Sequence, residues 1–133
     1  MSIQTNSLLR RTLGLDAATC AAMGVAMTVG SGPLAQLTGL PGGLLVGAGL
    51  VLLPIAGLMA WMARRLQVPS ALVWLVIGGN AGWAAVSLLL LVSGWVEPTL
   101  AGQAFVIAQA LGVVGLTALE YAGLRQGSRL AAA

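Results

Sequence analysis

From Pro69 to Val92 the chain runs without a single charged residue. A helix of this length covers ~34 Å at ~1.5 Å per residue, enough to cross the ~30 Å hydrocarbon layer of a bilayer. Lipid offers no water to satisfy peptide groups, so the stretch must close its own hydrogen bonds as a helix. One strongly polar side chain, Asn80, sits near its middle.

The rest of the chain is written in the same language. Of 133 residues, 59% are hydrophobic and 7% charged. A soluble domain carries roughly 25% charged residues, so this chain could not coat itself for water. Its length suits about four crossings with short connections and leaves no room for a soluble domain.

In chain order, a polar, uncharged start leads to Leu8-Leu9-Arg10-Arg11. Asp16 then interrupts the apolar run, which favours a retained helix over a cleaved signal. The first span is predicted over 12–30, stopped by Ser31-Gly32-Pro33. The spacing of Leu34, Leu37 and Leu40 suggests a short interfacial helix over 33–40, with an apolar loop as the alternative. The second span is predicted over 41–63, with Pro54 removing one backbone hydrogen bond mid-span and kinking it. Arg64 to Val68 is a tight turn, too short to separate its flanking helices, which predicts an antiparallel hairpin there. The third span is predicted over 69–92. After Ser93 to Glu97, Pro98 opens the fourth, over 98–124. The expected fold is a single transmembrane domain: an all-α, integral membrane four-helix bundle of two antiparallel hairpins.

The six basic residues are all arginines. Arg10 and Arg11 precede the first span, Arg64 and Arg65 join the second to the third, and Arg125 and Arg129 follow the fourth. Four crossings put all three places on one face and leave Glu97 alone on the other. The bias of Lys and Arg toward the cytoplasm then predicts both termini inside, in a bacterial inner membrane. These charges read as topology signals rather than a nucleic-acid surface.

Catalysis finds little support. The chain has no His and no Lys, which removes the commonest general base, the usual metal ligand and the phosphate-loop lysine. Its single cysteine, Cys20, permits no internal disulfide and fits a packing face. The expectation is therefore a non-enzyme without metal or cofactor.

Five residues remain as candidates. Asp16 and Glu120 each lie five residues inside the nearest arginine, ~7 Å below the cytoplasmic boundary at helical rise. A buried carboxylate at that depth could carry a proton; the plainer reading has it reach the headgroups or pair with Arg10, Arg11, Arg64 or Arg65. Asn80 shares one helical face with Trp83, Ala84 and Ser87. Gln109 shares another with Val113, Leu116 and Glu120. The two amides could line a polar path; the plainer reading is interhelical hydrogen bonding worth ~0.6–2 kcal/mol. Trp83, away from the interfacial belt of Trp61, Trp95 and Tyr121, is a packing residue or a ligand platform. Small pairs four apart (Cys20/Gly24, Gly43/Gly47, Gly78/Gly82, Ala108/Gly112) would let helix backbones approach closely.

The run Trp74…Asn80…Trp83…Ser87…Ser93-Gly94-Trp95…Pro98-Thr99…Gly102…Phe105-Val106…Gln109-Ala110…Leu119-Glu120-Tyr121…Arg125 resembles a group of small four-helix bacterial inner-membrane proteins. The opening Leu8-Leu9-Arg10-Arg11…Asp16-Ala17 fits as well. The resemblance implies topology and location and no activity. Small multidrug exporters, of similar length, match poorly: that resemblance implies a proton-coupling glutamate well inside the first helix, where this chain has only Asp16.

Three functions follow as expectations. The first is an accessory subunit or self-associating helix bundle, partnered by the bilayer and by another membrane protein or a second copy, with no nucleic acid. The others are a proton-coupled small-molecule transporter and a lipid or quinone binder.

Overall fold

A computed structural model describes residues 2–132. Asn6 starts the first helix: its side chain accepts from the Leu9 backbone N–H at 2.9 Å, capping α1 (Ser7–Val29). A short helix, α2 (Ser31–Thr38), follows. Then come α3 (Gly42–Ala63), α4 (Ser70–Ser93) and α5 (Leu100–Ala132). The chain is thus all-helical apart from two three-residue strands, and α1, α3, α4 and α5 are each long and apolar enough to cross a membrane. The predicted spans correspond to these four. The first starts five residues earlier than predicted, and the last continues eight residues further. Pro33 falls in the first turn of α2, where its missing N–H has no helical acceptor to lose.

The strands were not expected. β1 (Ser2–Gln4) pairs antiparallel with β2 (Gln67–Pro69), Ile3 opposite Val68. Ile3 and Val68 are both buried, so the start of the chain hides Ile3 against the turn after α3. The Thr5 N–H bonds the Leu66 carbonyl, and Arg10 Nε donates to the Ala63 carbonyl. Asn6 also donates to the Gly123 carbonyl at 2.9 Å, and Gly127 lies against Gln4. The segments carrying all six arginines are thereby stitched together.

The helix pairing corrects one expectation. α3 and α4, joined by the short turn, do not form a hairpin on each other; α1 packs most extensively on α3, α4 on α5, and α1 also packs on α5. The chain still reverses there, but the extended backbone of β2, held by β1, displaces α4 sideways from α3. Contacts along α1 and α3 run in opposite senses, from Arg10–Ala63 to Gly24–Gly49. Along α4 and α5 they run from Trp74–Tyr121 to Trp83–Gln109.

The crossing of α1 and α3 depends on two glycines. A Cβ on Gly24 would meet the Gly49 carbonyl oxygen at 3.0 Å, and one on Gly49 would meet the Gly24 oxygen at 2.8 Å. Of the small pairs picked from the sequence, only Cys20/Gly24 contributes to this contact. Gly43, Gly47, Gly78, Gly82 and Gly112 have open space where a Cβ would be. At the end opposite the arginines a second stitch forms. Thr99 donates its N–H to the Thr38 carbonyl at 2.9 Å and its hydroxyl to the Leu37 carbonyl at 2.7 Å. Gly39 makes the necessary turn with φ 74°, a conformation costly for other residues.

The core is densest near the arginine end. Leu9, Leu13, Met59, Met62 and Val73 are fully or almost fully buried there. Elsewhere large apolar side chains such as Leu15, Leu50, Leu89 and Leu111 point outward, as lipid-facing surface requires. Gly49→Val should therefore force α1 and α3 apart and cost about 1–3 kcal/mol of stability, the usual penalty of overpacking. Thermal unfolding in detergent should show this loss, with Gly112→Val close to wild type.

Candidate functional site

Asn80, in α4, donates through Nδ2 to Asp16 Oδ2 of α1 at 2.7 Å. The same nitrogen lies 3.3 and 3.2 Å from Oε1 and Oε2 of Glu120 in α5. An amide nitrogen carries two hydrogens, so one serves each carboxyl group. The two carboxyl groups are thus bridged by a single nitrogen. Asp16 is 1% exposed, Glu120 0% and Asn80 8%, which removes all three from surrounding solvent.

The sequence placed these groups at two depths; the structure brings them together. α1 begins at Ser7, so Asp16 lies ~14 Å along it, and Asn80 lies ~15 Å along α4. The arginines do not mark helix ends, because Arg10, Arg11, Arg125 and Arg129 lie within α1 and α5. Glu120 is consequently ~18 Å from the end of α5. Along their helices, then, Asp16, Asn80 and Glu120 meet at one level. Of the arginine partners named for them, Arg10 donates to the Ala63 carbonyl and Arg65 lies over the Trp61 ring.

Asp16 and Asn80 form part of the wall of a cavity of about 630 Å³. It lies between the α1–α3 pair and the α4–α5 pair, in the space left because α3 and α4 do not meet. Its walls are mostly hydrocarbon: Met23 and Met27 of α1, Leu52 and Ile55 of α3, Val76 and Val86 of α4, Val113 and Leu116 of α5. Glu120 is not part of the wall. It stands behind Asn80, closed in by the packed end of the molecule.

Trp83 and Gln109 form a second polar pair on the cavity wall. The indole N–H donates to Gln109 Oε1 at 2.9 Å, and Gln109 Nε2 donates to the Val106 carbonyl at 2.9 Å. The pair is an interhelical hydrogen bond between α4 and α5, and both residues also line the cavity. Ser87 faces the cavity but bonds back to the Trp83 carbonyl. The stripe Gln109, Val113, Leu116 is a cavity wall, with Glu120 continuing it below.

Cys20 has more neighbours of interest than its small-residue spacing suggested. Its Sγ lies 3.5 Å from Asp16 Oδ1, and the residue is part of the cavity wall. The signal was present, since residues four apart share a helix face, but it needed the cavity to give it meaning. Among the described residues no group of three or more His, Cys, Asp or Glu is placed to hold a metal ion.

An Asn80→Leu substitution should leave both carboxyl groups without their shared donor, at about 1–3 kcal/mol per unsatisfied group. Unfolding in detergent should show that loss. It should shrink in the Glu120→Gln background, where the introduced amide can donate to Asp16 instead.

No family model matches the chain, and comparison with curated proteins and with solved structures gave no match.

Proposed function

We propose that this chain is a proton-coupled carrier of small amphipathic cations, built as a four-helix bundle in a bacterial inner membrane with both termini cytoplasmic. The observation that carries the reading is the Asn80-bridged pair of carboxyl groups, one of which, Asp16, lies on the wall of an apolar cavity. Two bare carboxylates this close, away from water, would repel strongly; at an effective dielectric of about 20 the cost at 4 Å is about 4 kcal/mol. A proton held between Asp16 and Glu120 relieves that repulsion. A cation entering the cavity relieves it equally well. The two therefore compete for one site, and such competition is the elementary requirement of exchange.

The roles divide by position. Asp16, on the cavity wall, meets the cation. Glu120, behind Asn80, holds or yields the proton. Asn80 keeps the two carboxyl groups at a fixed separation, since its amide can donate to both at once. The orientation rests on the arginines, whose segments gather at one end of the molecule.

The helix-contact reading keeps one specific support. Gly78 and Gly82 on α4, and Gly43 and Gly47 on α3, lie open at the protein surface, where a second copy or partner helix could approach closely. Association there is compatible with carriage by each chain. The lipid-binder reading shares the cavity but gives the paired carboxyl groups no task.

In proteoliposomes with an imposed pH gradient, wild-type protein should accumulate a lipophilic amine. Glu120→Gln should lose gradient-driven accumulation, because the exchangeable proton has lost its place. Wild-type vesicles that show no substrate-dependent proton movement would remove the carrier reading.

A further inference from the structure

The pairs α1–α3 and α4–α5 are tied together at both ends. At the arginine end the ties are the β1–β2 pairing and the bond from Asn6 to the Gly123 carbonyl. At the other end they are the two bonds from Thr99 to the 37–38 backbone, with Gly102 lying directly beneath the Thr38 carbonyl. Between these ties α3 and α4 have no comparable interface. The cavity residues that flank this gap, Leu44 and Ile55 on α3 and Leu75 and Val86 on α4, are exposed at the protein surface. All four sit within spans, so what they face is hydrocarbon.

The chemistry of the wall limits what can lie inside. Asp16 is the one ionisable carboxyl group on it, with Asn80 alongside, and Trp83 and Gln109 already satisfy each other. The Thr19 and Ser87 hydroxyls bond back to carbonyls of their own helices, the Cys20 thiol lies against Asp16, and the rest of the wall is apolar. An occupant therefore finds one anchor for a positively charged or hydrogen-donating head and apolar contact for the remainder. An anionic head would meet a carboxyl group; a second charge on the body would be stranded in hydrocarbon. A volume of about 630 Å³ lies within the range of ordinary ligand pockets, ~300–1,000 Å³.

We propose that the cavity fills sideways from the bilayer, through the gap between α3 and α4. The occupant is a lipid-dissolved amphiphile with a single amine head and an apolar body. The head lies at Asp16 and Asn80, and the body lies along the gap. This rests on the carrier reading for its binding site, but the route is a separate claim with a separate test.

The test uses the full chain in lipid nanodiscs and a medium-chain alkylamine bearing a diazirine on its tail. After irradiation, digestion and mass spectrometry locate the label. The tail should mark the gap-facing sides of α3 and α4, at Leu52, Ile55 and Val86, and an excess of the unmodified amine should suppress it. Asp16→Asn should lower this internal label about tenfold, equivalent to one decade in affinity, and leave label on the outer helix faces unchanged. Val86→Trp and Leu75→Trp, both at exposed positions, should wedge the mouth and slow labelling inside without unfolding the protein.

Internal label that falls with Asp16→Asn but is untouched by either wedge, and that a lipid-insoluble quaternary analogue matches from water, would overturn the sideways route and leave the binding site standing. Internal label indifferent to Asp16→Asn would overturn the binding site itself. Label excluded from the gap, with α3 and α4 of two copies joined by a short bifunctional crosslinker, would make the gap a contact between copies and overturn the proposal.

Discussion

A single amide organises the polar interior of this protein. In hydrocarbon a carboxyl group needs a partner, and two of them need a partner that serves both. Asn80 supplies two hydrogens from one nitrogen, directed to Asp16 on α1 and Glu120 on α5. The contact fixes α4 relative to both helices at one level, where aliphatic packing alone would permit sliding. It also explains how a chain with three acidic residues can bury two of them in helices long and apolar enough to span a membrane. Loss of the amide would leave two buried acceptors facing each other, so the arrangement is all-or-none.

The cavity is the consequence of how the helices are joined. A short turn between two spans normally lays them side by side. Here the turn is drawn out into β2 and held by β1, so α3 and α4 are kept apart at their root. The close Gly24–Gly49 approach pulls α3 toward α1, while the Trp83–Gln109 and Trp74–Tyr121 contacts hold α4 against α5. Space remains between the two pairs, and Asp16 and Asn80 stand at its edge. The stitch from Thr99 to the end of α2 closes the far end. Fold and candidate site are therefore one construction: the same contacts that separate the pairs place Asp16 on the cavity wall and Glu120 off it.

Much of this was legible in the residues. Hydropathy and proline positions located the four spans, because lipid permits so few alternatives to a helix. The polar candidates Asp16, Asn80, Gln109, Glu120 and Trp83 stood out against an apolar background, and Trp83 and Gln109 proved to be partners. What was not legible was the shared level: spacing from the nearest arginine separates Asp16 and Glu120 from Asn80, yet the packed helices bring all three side chains into contact. Helix neighbours were equally hidden. Ile3, a lone apolar residue in a polar start, gave no periodic signal for a strand of three residues. Nor could spacing alone distinguish Gly24, pressed against Gly49, from Gly78 and Gly82, which face outward.

The central claim is that Asp16 and Glu120, joined through Asn80, hold a proton that a bound amine displaces. It is tested most directly by calorimetric titration of the purified protein with a lipophilic amine in buffers of differing ionisation enthalpy. The heat difference between buffers counts protons released per ligand bound. The account predicts about one proton per amine in wild type and none in Glu120→Gln. Saturable binding with no proton release, unchanged by Asp16→Asn or Glu120→Gln, would contradict it.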